Sequence, residues 1–354
     1  MVAPHSPRLK ASHAPFMIPL RVFHPIWDHN MTKIETARGA MDATGLGRVL
    51  MHEHVFVLSP EIMQNYPEEW GDEDTRVNDA IERLSELKAA GIDTILDPTA
   101  IGLGRYIPRI ATIADKIDLN IIVATGMYTF DVLPFYFRRR IPGSGEGGSD
   151  PMVEMFVRDI TQGIADTNIK AGVLKCATDL PGVTEGVERV LRAVAQAHRR
   201  TGAPITTHTH AATERGLEQQ AIFKDEGVDL SRVVIGHSGD SDDIDYLMKL
   251  IDGGSILGMD RFGIDHYQPT AKRVEVVAEL CRRGLADRMV LSHDASCYLD
   301  WIPGEVPSSM SHWSYLHISR DVLPALRENG VSEQQIDTML IDVPRQFFER
   351  QGAY

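Results

Sequence analysis

The sequence predicts one α/β domain in which eight parallel strands form a barrel and each strand is followed by a helix. Eight short apolar, β-branched runs recur along the 354 residues, at 48–54, 93–99, 120–126, 171–178, 204–209, 233–238, 255–260 and 289–294. Such continuous hydrophobicity is typical of strands buried on both faces, as in a parallel sheet. Because helical patterns separate all eight runs, the sequence favours a (β/α)8 TIM barrel over the alternative, an open doubly wound sheet.

Helical periodicity is clearest in two of the segments between the strands, 75–90 and 185–200. Both carry apolar residues that recur at three- and four-residue spacing, which places them on one face of a helix. Thr184 is expected to cap the start of the second helix, because its hydroxyl can accept a hydrogen bond from a free backbone N–H. The sequence predicts two further helical segments after the last strand, at 311–328 and 332–349.

The first thirty residues differ from the rest of the chain. Residues 1–30 are rich in proline and histidine and have no clear period. We expect an N-terminal extension there, disordered or derived from a tag or an upstream start, before a single barrel domain at 31–354. An arm that packs on a partner subunit is the alternative. The stretch 16–27 is apolar but is interrupted by prolines and an arginine, so it does not resemble a signal peptide.

Charge and cysteine content exclude some classes of function. The formal net charge is −14, and nucleic acids and anionic membranes are also negative, so neither is an expected partner. No apolar run is long enough to span a bilayer. Three widely spaced cysteines do not suggest a disulfide framework; they fit a reducing compartment, and we expect a cytoplasmic protein.

The first predicted strand ends in the motif Met-His-Glu-His, with His52 and His54 two residues apart. Side chains on a strand alternate, so these two imidazoles point to the same face and can both bind one metal ion. By itself the motif is equally compatible with two incidental histidines. Glu53, and likewise His293 near the end of the last strand, should point away from that face.

Ionisable residues also occur at the carboxyl ends of several other predicted strands. They are Lys175 on the fourth strand, His208 on the fifth, His237 on the sixth and Asp294 on the eighth. In a barrel those ends meet on one face, where active sites lie. Because so many polar residues at these positions are hard to explain by core packing, the sequence predicts a metal site there.

Lys175 poses a chemical problem for such a site. An ammonium group has no lone pair and repels cations. The lysine would have to lose its proton or react with CO2 to form a carbamate, whose two oxygens could bridge two metals. A salt bridge between Lys175 and Asp294 is the alternative.

The loop after the eighth strand, residues 295–311, is long and carries apolar and aromatic side chains. Loops at the carboxyl ends of barrel strands commonly form the walls of active sites. We therefore expect this loop to contact an apolar part of the substrate.

These motifs together resemble the phosphotriesterase branch of the amidohydrolase superfamily. The stretch 208–243 is similar to the family segment that spans its third and fourth histidines. The segments TGMYTFDVLPFYF, GMDRFGID and LSHDASCYLDW resemble the phosphotriesterase-like lactonases within that branch. The similarity runs from about Thr32 to the C-terminus.

The resemblance implies a centre of two divalent metals, which could be Zn, Co, Mn or Fe. His52, His54 and Asp294 would hold the more buried ion, and His208 and His237 the more exposed one. Lys175, as a carboxylated lysine, would bridge both. Tyr128 and Arg261 match substrate-facing positions of the lactonases, and Cys297 and Trp301 match positions near the entrance of the substrate pocket.

The implied activity is hydrolysis of N-acyl-homoserine lactones and other γ- and δ-lactones, a quorum-quenching reaction. A hydroxide held between the metals would attack the carbonyl carbon, with Asp294, Tyr128 and Arg261 as catalytic residues. A side activity on phosphotriesters such as paraoxon and a homodimeric assembly are also implied. The alternatives are a dedicated phosphotriesterase or other esterase and, in another class, a non-catalytic metal-binding barrel.

Overall fold

The computed structural model describes residues 1, 33–141, 149–302, 310–349 and 352–354. The predicted extension at 1–30 therefore lies almost entirely outside the described residues, and its role stays a prediction.

Eight parallel strands form the sheet, in the order in which they follow one another along the chain. They are β1 (Val49–Leu50), β2 (Thr94–Asp97), β3 (Asn120–Gly126), β4 (Val173–Ala177), β5 (Ile205–His208), β6 (Val233–Ile235), β7 (Ile256–Met259) and β8 (Met289–Leu291). Each strand lies within one of the eight predicted runs. The Met51 N–H donates to the Leu291 carbonyl at 3.3 Å, so β8 meets the end of β1 and the sheet closes into the predicted barrel.

Helices alternate with the strands, as predicted. The α-helices are α1 (Pro60–Asn65), α2 (Pro67–Trp70), α3 (Glu73–Ala89), α4 (Ile107–Ala114), α5 (Phe135–Arg138), α6 (Pro151–Thr161), α7 (Glu185–Thr201), α8 (Arg215–Asp225), α9 (Ile244–Gly253), α10 (Thr270–Arg282), α11 (Leu323–Glu328), α12 (Glu333–Asp337) and α13 (Val343–Phe348). The two clearest predictions are confirmed as α3 and α7. Thr184 caps α7 as expected, because its hydroxyl accepts a hydrogen bond from the Val187 N–H at 3.3 Å.

One of the two predicted helical segments after the last strand starts later than expected. Residues 332–349 are helical through most of their length, but the segment predicted at 311–328 begins only with the π-helical turn Ile318–Val322. The preceding residues instead bind the top of the barrel: the Trp313 indole donates to the Asp294 carbonyl at 2.9 Å, and the Tyr315 hydroxyl donates to the His54 carbonyl. These tertiary contacts outweigh the apolar periodicity from which the helix was predicted.

Two short strand pairs were not predicted. Lys33–Thr36 and Gly39–Asp42 form an antiparallel hairpin. Phe56–Val57 pairs in parallel with Tyr298–Leu299, which joins the loop after β1 to the loop after β8. A two-residue strand has too few residues to show a period, so the sequence contains no usable signal for it.

The barrel interior is an apolar core formed by alternate strand residues. Its buried side chains include Val49, Met51, Leu96, Ile122, Ala124, Val173, Val234, Ile256 and Val290, packed with Phe347 and Phe348 of α13. A larger apolar layer lies between the strands and the helices. Apolar side chains fill the interior along the strands. The polar side chains of the site lie beyond them, at the carboxyl ends of the strands. No helix in the described parts of the chain is long and apolar enough to cross a membrane.

Candidate metal centre

The carboxyl ends of the strands bring together nearly all of the predicted site residues in one pocket of about 170 Å³. Its wall includes His52, His54, Lys175, His208, His237 and Asp294, and also Tyr128, Arg261 and Trp301. The first six of these residues lie at the carboxyl ends of five different strands and form the floor of a single small cavity.

The two histidines of the first strand converge on Asp294. His52 Nε2 lies 3.6 Å and His54 Nε2 lies 3.3 Å from the same carboxylate oxygen of Asp294. All three ligand atoms lie within 4.8 Å of one another, which is close enough for one ion to contact them together. The alternation that placed both imidazoles on one face is thus confirmed.

Hydrogen bonds at the Nδ1 atoms orient these rings. One carboxylate, Asp260, lies 3.1 Å from His52 Nδ1 and 2.9 Å from His237 Nδ1. The Thr99 hydroxyl lies 2.7 Å from His54 Nδ1. A carboxylate only accepts, so His52 and His237 carry their proton on Nδ1 and present the Nε2 lone pair to the pocket. His52 and His237 are thereby held in the tautomer and orientation that bind metal.

On the other side of the pocket, His208 Nδ1 lies 2.9 Å from His237 Nε2. His208 Nε2 lies 3.8 Å from the carboxylate of Asp179, whose side chain is 42% exposed. His208 and His237 are themselves buried, so on this side only Asp179 is in substantial contact with solvent.

Lys175 lies between the two sides and is fully buried. Its Nζ donates to the Thr207 carbonyl at 3.2 Å and lies 3.3 Å from His52 Nε2. The alternative prediction was a salt bridge between Lys175 and Asp294. Among the described residues Lys175 forms the contacts with Thr207 and His52 instead. Burial lowers the pKa of Lys175 to about 8, because desolvation disfavours the ammonium form.

The protonation of the histidines also suits metal binding. Burial lowers the pKa of His52 and His237 below the ordinary value, and that of His208 to about 4. His54 differs: burial lowers its pKa, but hydrogen bonds to Asp294 and Asp97 raise it to about 9. Three of the four imidazoles are therefore neutral near pH 7, which is the form that binds a cation.

Asp294 is also the end of a chain of charged groups. Arg261 donates from Nε to Asp294 at 2.9 Å and from a terminal nitrogen to Asp240 at 3.0 Å. Asp240 in turn pairs with Arg273 at 2.7 Å. Burial would raise the pKa of the Asp294 carboxyl, but its interactions with His52, His54 and Arg261 hold the pKa well below its usual value.

Unusual backbone geometry occurs at two of the site residues. His237 and Asp294 have φ angles of +61° and +56°, in the left-handed region that non-glycine residues rarely adopt. Such geometry persists only where the surroundings hold it, and it is common at functional sites. Gly236 precedes His237, and a Cβ there would lie 2.0 Å from the Thr207 carbonyl oxygen.

Above the polar floor, the pocket wall is largely apolar. The Tyr128 ring meets His208 edge-on at 5.2 Å and lies 6.2 Å from Trp301. The rest of this apolar collar consists of Val57, Leu103, Ile264, Leu299, Met310 and Trp313.

Cys297 is the one predicted site residue that the structure does not bring into the pocket. Its neighbours Ser296 and Leu299 line the pocket, whereas Cys297 faces a separate cavity of about 730 Å³. Its sulfur lies 3.2 Å from the Tyr315 hydroxyl. The resemblance placed Cys297 in a loop that does line the pocket. The backbone conformation of that loop, however, directs the Cys297 side chain into the neighbouring cavity.

Several polar residues that support the ligands were missed. Asp260 orients two histidines, Asp97 and Thr99 flank His54, and Asp240 binds Arg261. Asp97 and Asp260 lie at the ends of predicted strand runs, and this is the signal that identified the other site residues. It could have identified these two as well.

The donor set fits divalent transition metals. Imidazole nitrogens and carboxylate oxygens bind Zn, Co, Mn and Fe according to geometry and availability. Lys175 fits such a set only as a neutral amine or after conversion to an anion. The residues present can therefore hold a metal ion in the group around Asp294.

Comparisons with known proteins agree with this geometry. A sequence model of the phosphotriesterase family matches residues 32–348, a range that includes every residue of the pocket. The chain is 64% identical over 325 residues to a phosphotriesterase homology protein of Mycobacterium tuberculosis, covering 92% of this chain and 100% of that protein. It is 38% identical over 314 residues to an aryldialkylphosphatase of Saccharolobus solfataricus, covering 88% and 98%. A solved structure of the phosphotriesterase from Mycobacterium tuberculosis is similar with a TM-score of 0.89 at 63% identity, covering 91% and 100% of the two chains.

Proposed function

The chain belongs to the phosphotriesterase family of hydrolases, and from this premise we propose that it opens lactones with the help of two divalent metals. The proposed substrates are N-acyl-homoserine lactones and other γ- and δ-lactones, so the reaction would quench quorum signals. Hydrolysis of phosphotriesters is proposed as a slower side activity.

In this proposal the ligand sets follow the two sides of the pocket. His52, His54 and Asp294 would hold the more buried ion, His208 and His237 would hold the more exposed one, and Lys175, once carboxylated, would supply oxygen ligands to both. When bound, the ions act as Lewis acids and lower the pKa of a water molecule towards neutrality. The lowered pKa of Lys175 supports the modification, because CO2 reacts with a neutral amine and not with an ammonium.

Asp294 is the proposed proton acceptor and donor. The positive groups around it keep it a carboxylate, and it lies in the pocket floor where the attacking water would have to lose a proton. It would then return that proton to the alkoxide that leaves when the ring C–O bond breaks. In a lactone the leaving oxygen remains attached to the product, so it stays within reach of the same carboxyl.

Tyr128 and Arg261 are the proposed partners of the substrate oxygens. Burial raises the pKa of Tyr128 above its ordinary value, so its hydroxyl stays protonated and can donate to the carbonyl oxygen as charge develops there. Arg261 is held by Asp294 and Asp240, and its charge stabilises negative charge in the same cavity.

The observation that carries the lactone proposal is the combination of a small polar floor with an apolar collar. A pocket of about 170 Å³ is smaller than the roughly 300–1,000 Å³ usual for a drug-sized ligand, which suits a compact ring. The collar that includes Leu103, Ile264 and Trp301 offers an apolar path for an acyl tail.

A dedicated phosphotriesterase is the second candidate, and the name of the aryldialkylphosphatase relative is the observation that favours it. The tetrahedral phosphorus centre of a phosphotriester resembles the tetrahedral intermediate of lactone hydrolysis, so one site can process both substrates.

The two candidates are separated by measuring kcat/KM for a long-chain N-acyl-homoserine lactone and for paraoxon on the same metal-loaded protein. We expect the lactone value to be larger and to fall when the acyl chain is shortened, because the collar loses its contacts. A larger value for paraoxon would overturn the lactonase proposal in favour of the second candidate.

A further inference from the structure

Glu53, between the two histidines of the first strand, has a position that the proposed chemistry does not use. Its side chain is fully buried and points away from the pocket, as strand alternation predicts. With the described part of the chain, the Glu53 side chain forms its hydrogen bonds to one short segment, residues 292–295, which carries Asp294.

Four donors surround the Glu53 carboxylate. Oε1 accepts from the Ser292 hydroxyl at 2.8 Å, the His293 N–H at 2.8 Å and His293 Nδ1 at 2.6 Å. Oε2 accepts from the Ala295 N–H at 3.0 Å. The two backbone donors flank Asp294 in the sequence, so Glu53 holds the chain on both sides of that residue.

The contact of Nε2 determines which nitrogen of the His293 ring carries the proton. Nε2 of His293 lies 2.8 Å from the backbone N–H of Ile318 and must accept there. The ring proton is therefore on Nδ1, facing Glu53. The contact continues the network into the helical segment that follows the barrel.

Backbone contacts join the same two segments. The Asp294 N–H donates to the His52 carbonyl at 3.0 Å, and the His54 N–H donates to the Ala295 carbonyl at 2.8 Å. The His52 N–H donates to the Ser292 hydroxyl oxygen at 2.8 Å. Asp294 itself has the unfavourable φ of +56°, which persists only where neighbouring contacts hold it.

We propose that Glu53 is a positioning residue for the more buried metal. Its carboxylate holds the strand with His52 and His54 against the turn with Asp294, so that the three ligand atoms already lie within 4.8 Å of one another. The inference rests on the metal site of the proposed function and adds a residue that touches neither metal nor substrate.

The contacts require a carboxylate at this position. Both oxygens of Glu53 face a backbone N–H, one from His293 and one from Ala295. A glutamine would place its NH2 group against one of these N–H groups in either orientation of the amide. The shorter aspartate side chain would reach neither partner at the same distances.

The test compares Glu53→Gln with the unmodified protein after both are loaded with Co²⁺. A chelator is added, and cobalt loss is followed by the visible absorption of the bound ion. We expect Glu53→Gln to bind cobalt about 10- to 100-fold more weakly or lose it correspondingly faster, as is usual when a residue that supports metal ligands is replaced. The absorption bands should also shift, because the ligand geometry changes.

Asp159→Asn is the matched control. Asp159 is also a buried carboxylate, and it accepts from the Thr125 hydroxyl at 2.7 Å and pairs with Arg105 at 2.9 Å, but it does not line the pocket. We expect a lower melting temperature with cobalt loss at the rate of the unmodified protein. A purely structural role of Glu53 would make the two variants alike.

Unchanged cobalt loss and absorption in Glu53→Gln would overturn the inference, and so would equally fast loss in Asp159→Asn. If Glu53→Gln does not fold, Ser292→Ala removes one donor to Glu53 and the acceptor of the His52 N–H. We expect it to speed cobalt loss to a smaller degree, and an unchanged rate would overturn the proposal. If the unmodified protein holds no cobalt, the proposed metal site fails first and this inference fails with it.

Discussion

The two sides of the pocket are held in place to different degrees. On the buried side, His52, His54 and Asp294 each have hydrogen-bonded or charged partners that are themselves buried. On the open side, His208 Nε2 faces Asp179, which is half-exposed and 3.8 Å away. His237, on the open side, is held by the buried carboxylate of Asp260 just as His52 is. The difference between the two sides therefore lies in His208, which would depend more on a bound ion and on Lys175 for its final geometry.

The largest effect is expected at Asp294, which is both a proposed metal ligand on the buried side and the proposed proton acceptor. Asp294→Asn keeps the shape of the side chain but removes its charge and its capacity to accept a proton. We expect kcat/KM for lactones to fall about 10²- to 10⁴-fold, the usual contribution of a general base. Steady-state kinetics with the metal content measured in parallel checks this; a variant that keeps its metals and full activity would contradict the role of Asp294.

A pair of substitutions compares Asp260, which orients one histidine on each side, with Asp179, which lies beside His208 alone. Asp260→Asn disturbs a carboxylate that orients His52 and His237, so we expect metal affinity to fall about 10- to 100-fold. Asp179→Asn disturbs only the exposed partner of His208, and we expect a smaller loss, confined to the open side. Calorimetric titration of metal-free protein measures both. Equal losses would mean that Asp179 holds His208 as firmly as Asp260 holds His52 and His237.

The smallest effect is expected at Tyr128, which lies between the polar floor of the pocket and its apolar collar. Tyr128→Phe removes one neutral hydroxyl donor and leaves the ring contacts with His208 and Trp301 in place. A hydrogen bond of about 1–1.5 kcal/mol corresponds to a decrease of about 10-fold in kcat. Metal affinity should not change. A large loss of metal, without a change in kcat, would instead place Tyr128 among the residues that support the open side.

The residues at the strand ends explain why so much of the site could be predicted. His52, His54, Lys175, His208, His237 and Asp294 each end a hydrophobic run, and the barrel geometry brings such ends together. The same rule applies to Asp260, but its role depends on contacting two histidines from different strands, which a single sequence does not display. The homodimer, the cytoplasmic location and the extension at 1–30 stay predictions.

The errors lie where distant contacts decide local structure. Residues 311–317 have helical periodicity, but Trp313 and Tyr315 bind the top of the barrel and leave this part as a turn. Cys297 lies in the expected loop, yet its side chain faces the neighbouring cavity. Both outcomes depend on how the loop after β8 packs against the loop after β1, a relation between segments more than 200 residues apart.

In the proposed function, two metal ions and the residues at the strand ends together open a lactone ring. The most direct test strips the protein of metal with a chelator and adds Co²⁺ stepwise while lactone hydrolysis and bound cobalt are measured. The account predicts an inactive stripped protein, binding first on the buried side, and activity that rises until two ions are bound per chain. Full activity in the metal-free protein, or activity complete with one ion, would contradict it.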